Sequence, residues 1–290
     1  MGKIDAILIA GPTASGKSAF AIEQAQKNNG IIVNSDSMQV YKELRVLTAR
    51  PSIEDEAVVP HCMYGNVSGA TAYSVGQWYE DVKLVLEDCR QSGTVPVFTG
   101  GTGMYFSALL GGLSPVPPVP DDIREYWRKQ ALEVGAPVLH KMLQERDPLM
   151  AGQLRPSDPQ RLARALEVFD ATGISLCEWQ KKPGVPLIDE AKVEKYVISP
   201  ERDMLYDRCN RRFDIMIEQG ALKEVEELSA RNFHPDLPIM RALGVKPIQD
   251  YLSGKMSLEE VAEISKRDTR RYAKRQLTWL RGNMIAWNWM

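Results

Sequence analysis

The residues with the clearest chemical meaning form an eight-residue motif near the N-terminus: Gly11, Pro12, Thr13, Ala14, Ser15, Gly16, Lys17 and Ser18. They satisfy the pattern G-x-x-x-x-G-K-[ST], in which backbone N–H groups surround a phosphate and the lysine adds positive charge. An apolar run precedes the motif and a helix-compatible segment follows it, as such a loop requires. We therefore predict that these residues bind phosphate groups, with Ser18 as a ligand of Mg²⁺.

A carboxylate follows the next apolar run, in the sequence IIVNSDSMQVY at residues 31–41. Because the carboxyl ends of parallel strands converge on the ligand crevice, Asp36 is expected close to the phosphate loop. It suits a general base that takes a proton from a nucleophile, although an aspartate here could equally cap a turn or a helix. This core supports two reactions: a phosphoryl group is transferred, or the phosphate is a leaving group.

The apolar run at 94–99, TVPVFT, continues into Gly100, Gly101 and Thr102 without a carboxylate. An enzyme that hydrolyses nucleotides needs an acidic residue at the end of such a strand to hold the metal, and a residue that orients water. The missing acid weakens the hypothesis of an ATPase.

Strand-like runs at 4–10, 31–35 and 94–99 alternate with helical segments, which indicates a parallel sheet. The proline-rich LSPVPPVPDD interrupts this pattern, with Asp121 or Asp122 as the expected N-cap of a following helix. Only helical periodicity then follows to about residue 180, before a strand at 192–200 and helices to the C-terminus. We predict an α/β fold: a P-loop-type core with a parallel sheet flanked by helices, at 1–117 and 191–290, and an all-helical insertion domain at 118–190.

The composition is that of an ordinary globular protein: 290 residues, 44% hydrophobic and 26% charged, with a formal net charge of -2. No apolar stretch approaches the roughly 20 residues of a membrane span, so we expect a cytoplasmic protein without membrane contact. The four cysteines include no CxxC pair, which favours reduced thiols over a zinc site or disulfides.

Several segments together resemble the tRNA dimethylallyltransferases, also called tRNA isopentenyltransferases, of the bacterial type. The matching segments, in the family's order, are GPTASGKS at 11–18, NSDSMQVY at 34–41, FTGGTGMYFSALLGGL at 98–113, DPQRLARALEVFDATGIS at 158–175, FDIMIEQG at 213–220, MRALGVKPI at 240–248 and RDTRRYAKRQLTWLR at 267–281. One departure is LTARP at 47–51, where the family typically carries a GTAKP-like stretch.

The resemblance implies that a dimethylallyl group moves from dimethylallyl diphosphate to the exocyclic amine of the adenosine immediately 3′ of the anticodon. Diphosphate leaves, Mg²⁺ assists and no ATP is consumed. Asp36 would accept the amine proton, and Thr102 is similar to the family residue that contacts the target nucleotide near the base; capping a helix is the alternative role of Thr102. Among three nearby arginines, Arg208, Arg211 and Arg212, we assign Arg212 to the diphosphate.

The implied partner is the anticodon stem-loop of tRNA, whose target base must be flipped out of its stack. We expect a monomer. The residues that the resemblance assigns to tRNA are Asp36, Ser37, Met38, Gln39, Thr102, Arg124, Gln160, Arg161, Leu162, Ala163, Arg164, Arg270, Arg271 and Lys274. The last three belong to the basic block KRDTRRYAKR at 266–275, for which a solvated helix face is the alternative.

Three other functions remain open. An ATP-dependent small-molecule kinase needs only the phosphate loop and Asp36, but has no use for the basic helix. A prenyltransferase acting on free adenine nucleotides has no use for the long helical insertion. A non-enzymatic RNA-binding module does not need an intact phosphate loop.

Overall fold

The computed structural model describes residues 4–290, and within them six strands form a single sheet. All pairs are parallel, and the strand order is β3-β2-β4-β1-β5-β6. The strands are β1 (Ala6–Ala10), β2 (Gly30–Asn34), β3 (His61–Cys62), β4 (Val95–Gly100), β5 (Val193–Val197) and β6 (Asn288–Trp289). The predicted parallel α/β core is confirmed.

Strand β1 lies inside the sheet, paired with β4 on one side and β5 on the other. Its five residues are all fully buried, because helices cover both faces of a parallel sheet. Ile7 and Ile9 pack with Ala21 and Ala25 of the following helix in one apolar cluster. This packing fixes the carboxyl end of β1, and with it the start of the phosphate loop.

The two edge strands, β3 and β6, were not predicted, and helices were wrongly expected through to the C-terminus. Each edge strand has only two residues, which is too short for any periodicity in the sequence. They are extended because a neighbour offers backbone partners: Met290 N donates to Val197 O at 2.9 Å, and Ser199 N donates to Met290 O at 2.7 Å.

Thirteen α-helices accompany the sheet in the described part of the chain. They are α1 (Lys17–Lys27), α2 (Ile53–Val58), α3 (Val75–Ser92), α4 (Gly103–Gly111), α5 (Asp121–Glu133), α6 (Gly135–Arg146), α7 (Pro148–Ala151), α8 (Pro159–Thr172), α9 (Leu176–Gln180), α10 (Arg202–Glu218), α11 (Ala221–Ala230), α12 (Val245–Leu252) and α13 (Leu258–Asn283). Helix α3 begins with a capping box from Ser74 and Gln77 and ends at Gly93, whose φ of 69° suits glycine.

The chain divides into two compact units, residues 1–110 with 187–290 and residues 111–186. The helical unit therefore begins and ends a few residues earlier than the predicted 118–190. At its start, Val116 and Val119 of the proline-rich segment pack into the core of the helical unit. After its end, Leu187 N donates to Leu109 O at 2.9 Å within the sheet-containing unit.

The helical unit, residues 111–186, has its own apolar core. Trp127 of α5, Leu139 and Leu143 of α6, and Leu162 and Leu166 of α8 are buried together. Helix α5 begins after Pro120, which makes no side-chain capping bond. The expected N-cap role of Asp121 or Asp122 is therefore wrong; both lie in the first turn, where a carboxylate still interacts favourably with the helix dipole.

Across residues 4–290, no helix combines the length and the apolar character that crossing a membrane requires.

Candidate active site

The phosphate loop, residues 11–18, connects β1 to α1, and its conformation explains its two glycines. A Cβ on Gly11 would lie 2.7 Å from Ser15 Oγ and 2.9 Å from Ile198 O, so no side chain fits there. Gly16 has a φ of 94°, a left-handed conformation that L side chains rarely adopt. The loop therefore leads into the N-terminus of α1, whose free N–H groups can bind an anion.

Lys17 is the first residue of α1 and lies over the loop that it belongs to. Its Nζ donates to Pro12 O at 3.2 Å. The pKa of Lys17 is lowered to about 8, mainly by burial; the negative charge of Asp36 opposes this, and the positive charge of Arg212 adds to it. An anionic ligand here would stabilise the charged ammonium form of Lys17, and the ammonium would in turn attract the ligand.

Two arginines of α10 contact the phosphate loop. Arg208 donates to Ser15 O at 3.2 Å, and Arg212 donates to Thr13 Oγ1. Residues four apart share a helix face, whereas Arg211 is exposed and pairs with Asp207. Burial lowers the pKa of Arg212 and nearby Asp36 opposes this. The structure therefore brings Arg212 to the loop as assigned from the sequence, and places Arg208 beside it.

Asp36 follows β2 in a turn that its neighbour Asn34 holds. Asn34 Oδ1 accepts from Asp36 N at 2.8 Å, and Asn34 Nδ2 donates to Asp36 O at 3.0 Å. Asp36 Oδ1 accepts from Met38 N at 2.9 Å. Within residues 4–290 no hydrogen bond engages Oδ2, which leaves one carboxylate oxygen for a ligand. Asp36 can thus be both a turn aspartate and a proton acceptor.

Thr102 lies between β4 and α4 and ties the glycine-rich turn to the Asp36 segment. Its Oγ1 accepts from Ser37 N at 3.1 Å, and its own N–H donates to Ser35 O at 3.3 Å. Helix α4 begins one residue later, at Gly103. The side chain of Thr102 therefore organises the Asp36 segment, in a position where sequence reasoning expected contact with the nucleotide or a helix cap.

Gln276 of α13 is the residue at this site that sequence reasoning missed. Its Oε1 accepts from Thr13 N at 2.8 Å, and its Nε2 donates to Gly101 O at 3.0 Å. The signal was available: Gln276 occupies the same stripe of α13 as Ala273 and Leu280, so the sequence places a polar residue on a buried apolar face.

A cavity of about 340 Å³ opens beside these groups. Its polar lining includes Asp36, Arg212 and Tyr272, and its apolar lining includes Leu47 and Phe213. Burial raises the pKa of Tyr272 and the nearby Asp36 charge raises it further, so its hydroxyl stays protonated and can donate a hydrogen bond. Charged groups and an apolar wall in one cavity suit a ligand with an anionic head and an apolar tail.

The segment after Asp36 forms part of the cavity wall, and Glu224 of α11 fixes the path of this segment. The Glu224 carboxylate accepts from three consecutive backbone N–H groups, those of Arg45, Val46 and Leu47, with the last two at 2.8 and 2.9 Å. Gln39, predicted to contact tRNA, donates its side-chain amide to Thr48 O and Ala49 O in the same segment.

The basic residues of α13 divide between two surroundings. Arg271 and Lys274 line a shallow open depression with Arg275, Thr278 and Trp279, of about 530 Å³. Arg270 instead donates to Asn210 Oδ1 of α10. Of the three residues predicted to contact tRNA, Arg271 and Lys274 thus share an accessible face, and Arg270 is engaged between helices.

In the helical unit, the predicted tRNA contacts also differ in accessibility. Leu162 is 0% and Ala163 5% exposed, so their side chains belong to the core and cannot reach RNA. Gln160 is exposed, and the other three side chains pair with carboxylates: Arg124 with Asp121, Arg161 with Asp158 and Arg164 with Glu167.

The sheet order, the loop between β1 and α1 and the cationic groups around that loop are those of a P-loop-type α/β protein. The family model described as "IPP transferase" matches residues 39–283, and one described as "Isopentenyl transferase" matches residues 4–58. The chain belongs to the tRNA dimethylallyltransferase family, as its motifs predicted.

Relatives named tRNA dimethylallyltransferase cover almost the whole chain. That of Agrobacterium fabrum is 52% identical over 280 residues, covering 97% of this chain and 94% of the relative. That of Methylocella silvestris is 51% identical over 287 residues, covering 99% and 95%.

Two solved structures share the fold. The tRNA isopentenylpyrophosphate transferase of Bacillus halodurans matches with a TM-score of 0.70 and 32% identity, covering 99% of this chain and 90% of that one. A eukaryotic dimethylallyltransferase acting on tRNA matches with a TM-score of 0.81 and 29% identity, covering 95% and 69%.

Proposed function

We propose that this protein is a tRNA dimethylallyltransferase. It transfers the dimethylallyl group of dimethylallyl diphosphate to the exocyclic amine of the adenosine 3′-adjacent to the anticodon, and it releases diphosphate. The names of its relatives and its membership of their family support this assignment.

One arrangement carries the proposal from the site itself: the phosphate loop and the Asp36 carboxylate are close enough for Asp36 to raise the pKa of both Lys17 and Arg212. The same cavity is lined by Asp36, by Arg212 and by Thr13 of the loop. An enzyme that places a base beside a diphosphate site, with no acid at the end of β4 to position a metal for water attack, suits transfer to a nucleophile.

In the proposed reaction the bond between the allylic carbon and the bridging oxygen breaks, and its electron pair leaves on the diphosphate. An allylic carbon ionises readily once this charge is stabilised, so anion stabilisation is the main requirement. Lys17 and Arg212 each supply a positive charge at the loop. The N–H groups at the start of α1 supply fixed dipoles that also favour an anion.

The exocyclic amine attacks the same carbon, and a new carbon–nitrogen bond forms. An aromatic amine is a weak nucleophile and must lose a proton as it becomes alkylated. Asp36 Oδ2 is the acceptor for that proton, while Oδ1 remains bonded to Met38 N. The same carboxylate hydrogen-bonds the amine beforehand and positions it.

Mg²⁺ is part of the proposal, and the donor set fits this ion. Within residues 4–290 no cluster of three or more His, Cys, Asp or Glu side chains offers a protein cage for a metal. Mg²⁺ commonly keeps several waters and binds substrate phosphates with one or two protein ligands, and the exposed hydroxyl of Ser18, the last residue of the loop, would be such a ligand. When bound, the ion neutralises charge on the leaving diphosphate.

For tRNA, we propose contacts from two groups of accessible side chains. Arg271 and Lys274 on α13 would bind backbone phosphates, since they line an open basic depression. Gln160 and Arg164 are four residues apart on α8 and share a helix face, which suits contact with splayed bases of the anticodon loop.

The test is incubation with labelled dimethylallyl diphosphate, Mg²⁺ and bulk tRNA without ATP, followed by digestion to nucleosides. Label on the adenosine next to the anticodon supports the proposal. Label on added AMP at equal efficiency would instead indicate an enzyme for free nucleotides. Phosphorylated product that appears only with ATP would indicate a kinase.

A further inference from the structure

Gln276 makes two hydrogen bonds that join separate parts of the active site. Its carbonyl accepts from Thr13 N of the phosphate loop at 2.8 Å, and its amide donates to Gly101 O of the turn after β4 at 3.0 Å. Thr13 also accepts from Arg212, so the same residue connects the loop to α10. Gln276 thus holds the diphosphate half of the site from one side.

The close approach of α13 here leaves no room for a side chain in the turn after β4 or at the first residue of α4. A Cβ on Gly101 would lie 2.0 Å from Gln276 Nε2, and a Cβ on Gly103 would lie 1.9 Å from the Trp279 ring of the same helix. Gln276 is only 6% exposed, and an amide buried without partners would be unfavourable. Both of its polar atoms are satisfied by backbone groups, which fixes its position.

The connection continues from Gly101 to the acceptor half of the site. The next residue, Thr102, accepts from Ser37 N at 3.1 Å and donates its own N–H to Ser35 O at 3.3 Å. Ser35 and Ser37 flank Asp36. A continuous series of bonds therefore runs from Thr13 through Gln276, Gly101 and Thr102 to the backbone that carries the base.

We infer that Gln276 is a positioning residue that sets the distance between the leaving diphosphate and the base that receives the amine proton. The inference rests on the proposed prenyl transfer. Gln276 bonds backbone groups of Thr13 and Gly101 and does not line the cavity, so its loss should disturb the alignment of the two halves more than the affinity for either substrate. Misalignment of reacting groups lowers kcat, whereas loss of binding raises KM.

The test compares Gln276→Glu and Gln276→Met with the wild-type enzyme in the tRNA prenylation assay. Glutamate keeps the acceptor for Thr13 N but, when ionised, opposes the Gly101 carbonyl with negative charge; methionine removes both bonds. At neutral pH we expect kcat to fall about tenfold in both variants, with each KM within about threefold of wild type.

A pH profile separates positioning from general damage. A protonated glutamic acid regains one donor and one acceptor, the pair that glutamine supplies. As the pH falls from about 8 to about 5.5, the kcat ratio of Gln276→Glu to wild type should therefore rise, because burial raises the carboxyl pKa into this range. The ratio for Gln276→Met should stay constant.

Gln249→Glu is the matched control, because the side-chain amide of Gln249 donates to Ser229 Oγ in another part of the unit. It should leave both kcat and its pH dependence unchanged. A flat ratio for Gln276→Glu, or KM increases with unchanged kcat, would overturn the positioning role. If Gln276→Met fails to fold, the pH-dependent recovery of Gln276→Glu still decides. Absence of prenylation by the wild type would instead overturn the proposed function itself.

Discussion

Raising the pH above 8 is expected to weaken binding of dimethylallyl diphosphate through a single residue, Lys17. Burial lowers the pKa of Lys17 to about 8 in the free protein, so the ammonium loses its charge as the pH rises through that value. The ligand's own last ionisation lies near pH 6, as for other phosphate monoesters, so its charge is constant above pH 7.5. Only the protein's charge then changes.

The size of the effect follows from that pKa. With a pKa of about 8, Lys17 is about three-quarters protonated at pH 7.5 and about one-tenth protonated at pH 9. If only the charged form binds the diphosphate tightly, the apparent affinity falls about eightfold, or about 1.2 kcal/mol. Arg208 and Arg212, which both contact the loop, preserve residual binding.

Isothermal titration of dimethylallyl diphosphate with Mg²⁺, in the absence of tRNA, measures this affinity without turnover. Lys17→Arg is the control, because a guanidinium stays charged and should make the affinity independent of pH over the same range. Proton uptake on binding, read from buffers of different ionisation enthalpy, should appear in the wild type above pH 8 and vanish in Lys17→Arg. Parallel pH dependences in the two proteins would refute the reasoning.

Three further changes test other parts of the site. Asp36→Asn keeps an acceptor for Met38 N but removes the base. Single-turnover prenylation should therefore slow about 10²- to 10⁴-fold while tRNA binding persists. An unchanged rate would contradict the base role. Replacing Arg271 and Lys274 together by alanine should weaken tRNA binding and reduce its log–log salt slope by about 1 to 2. Lys223→Ala, at an exposed position of α11, should not change the slope. A slope equal to wild type in the double variant would exclude phosphate contacts. Glu224→Gln replaces a charged acceptor of three N–H groups and should lower the free energy of unfolding by about 1–3 kcal/mol in chemical denaturation. Stability equal to wild type would mean that the segment after Asp36 keeps its path without the Glu224 charge.

The sheet and the phosphate loop could be predicted because their signals are local. A buried parallel strand reads as a continuous apolar run, and β1, β2 and β4 all do so. The left-handed φ of Gly16 likewise needs glycine whatever surrounds it. Strands β3 and β6 carry no such signal, since they are extended only because the edges of β2 and β5 offer backbone partners.

Site residues within recognisable motifs could be predicted, whereas contacts between distant helices could not. Arg270 fits the helical spacing of a basic face, yet it turns toward Asn210 of α10, sixty residues away. Leu162 lies within a motif assigned to RNA but supplies the core of the helical unit. The spacing within α13 indicates that Gln276 is buried, but no spacing within α13 or α11 reveals that Gln276 and Glu224 bond the backbone of distant segments.

The absent acid at the end of β4 has a geometric cause that the sequence does not show. A Cβ on Gly100 would lie 2.0 Å from Ser35 O, and a Cβ on Gly101 would lie 2.0 Å from Gln276 Nε2. A carboxylate at Gly100 would force β4 away from the Ser35 backbone, and one at Gly101 would displace the Gln276 side chain. Ser35 immediately precedes Asp36, so the backbone next to the proposed base is what excludes a side chain at Gly100. An acid at this strand end is incompatible with the observed path of the Asp36 segment, which favours a site with Asp36 as base over a hydrolase site with a metal-binding acid on β4.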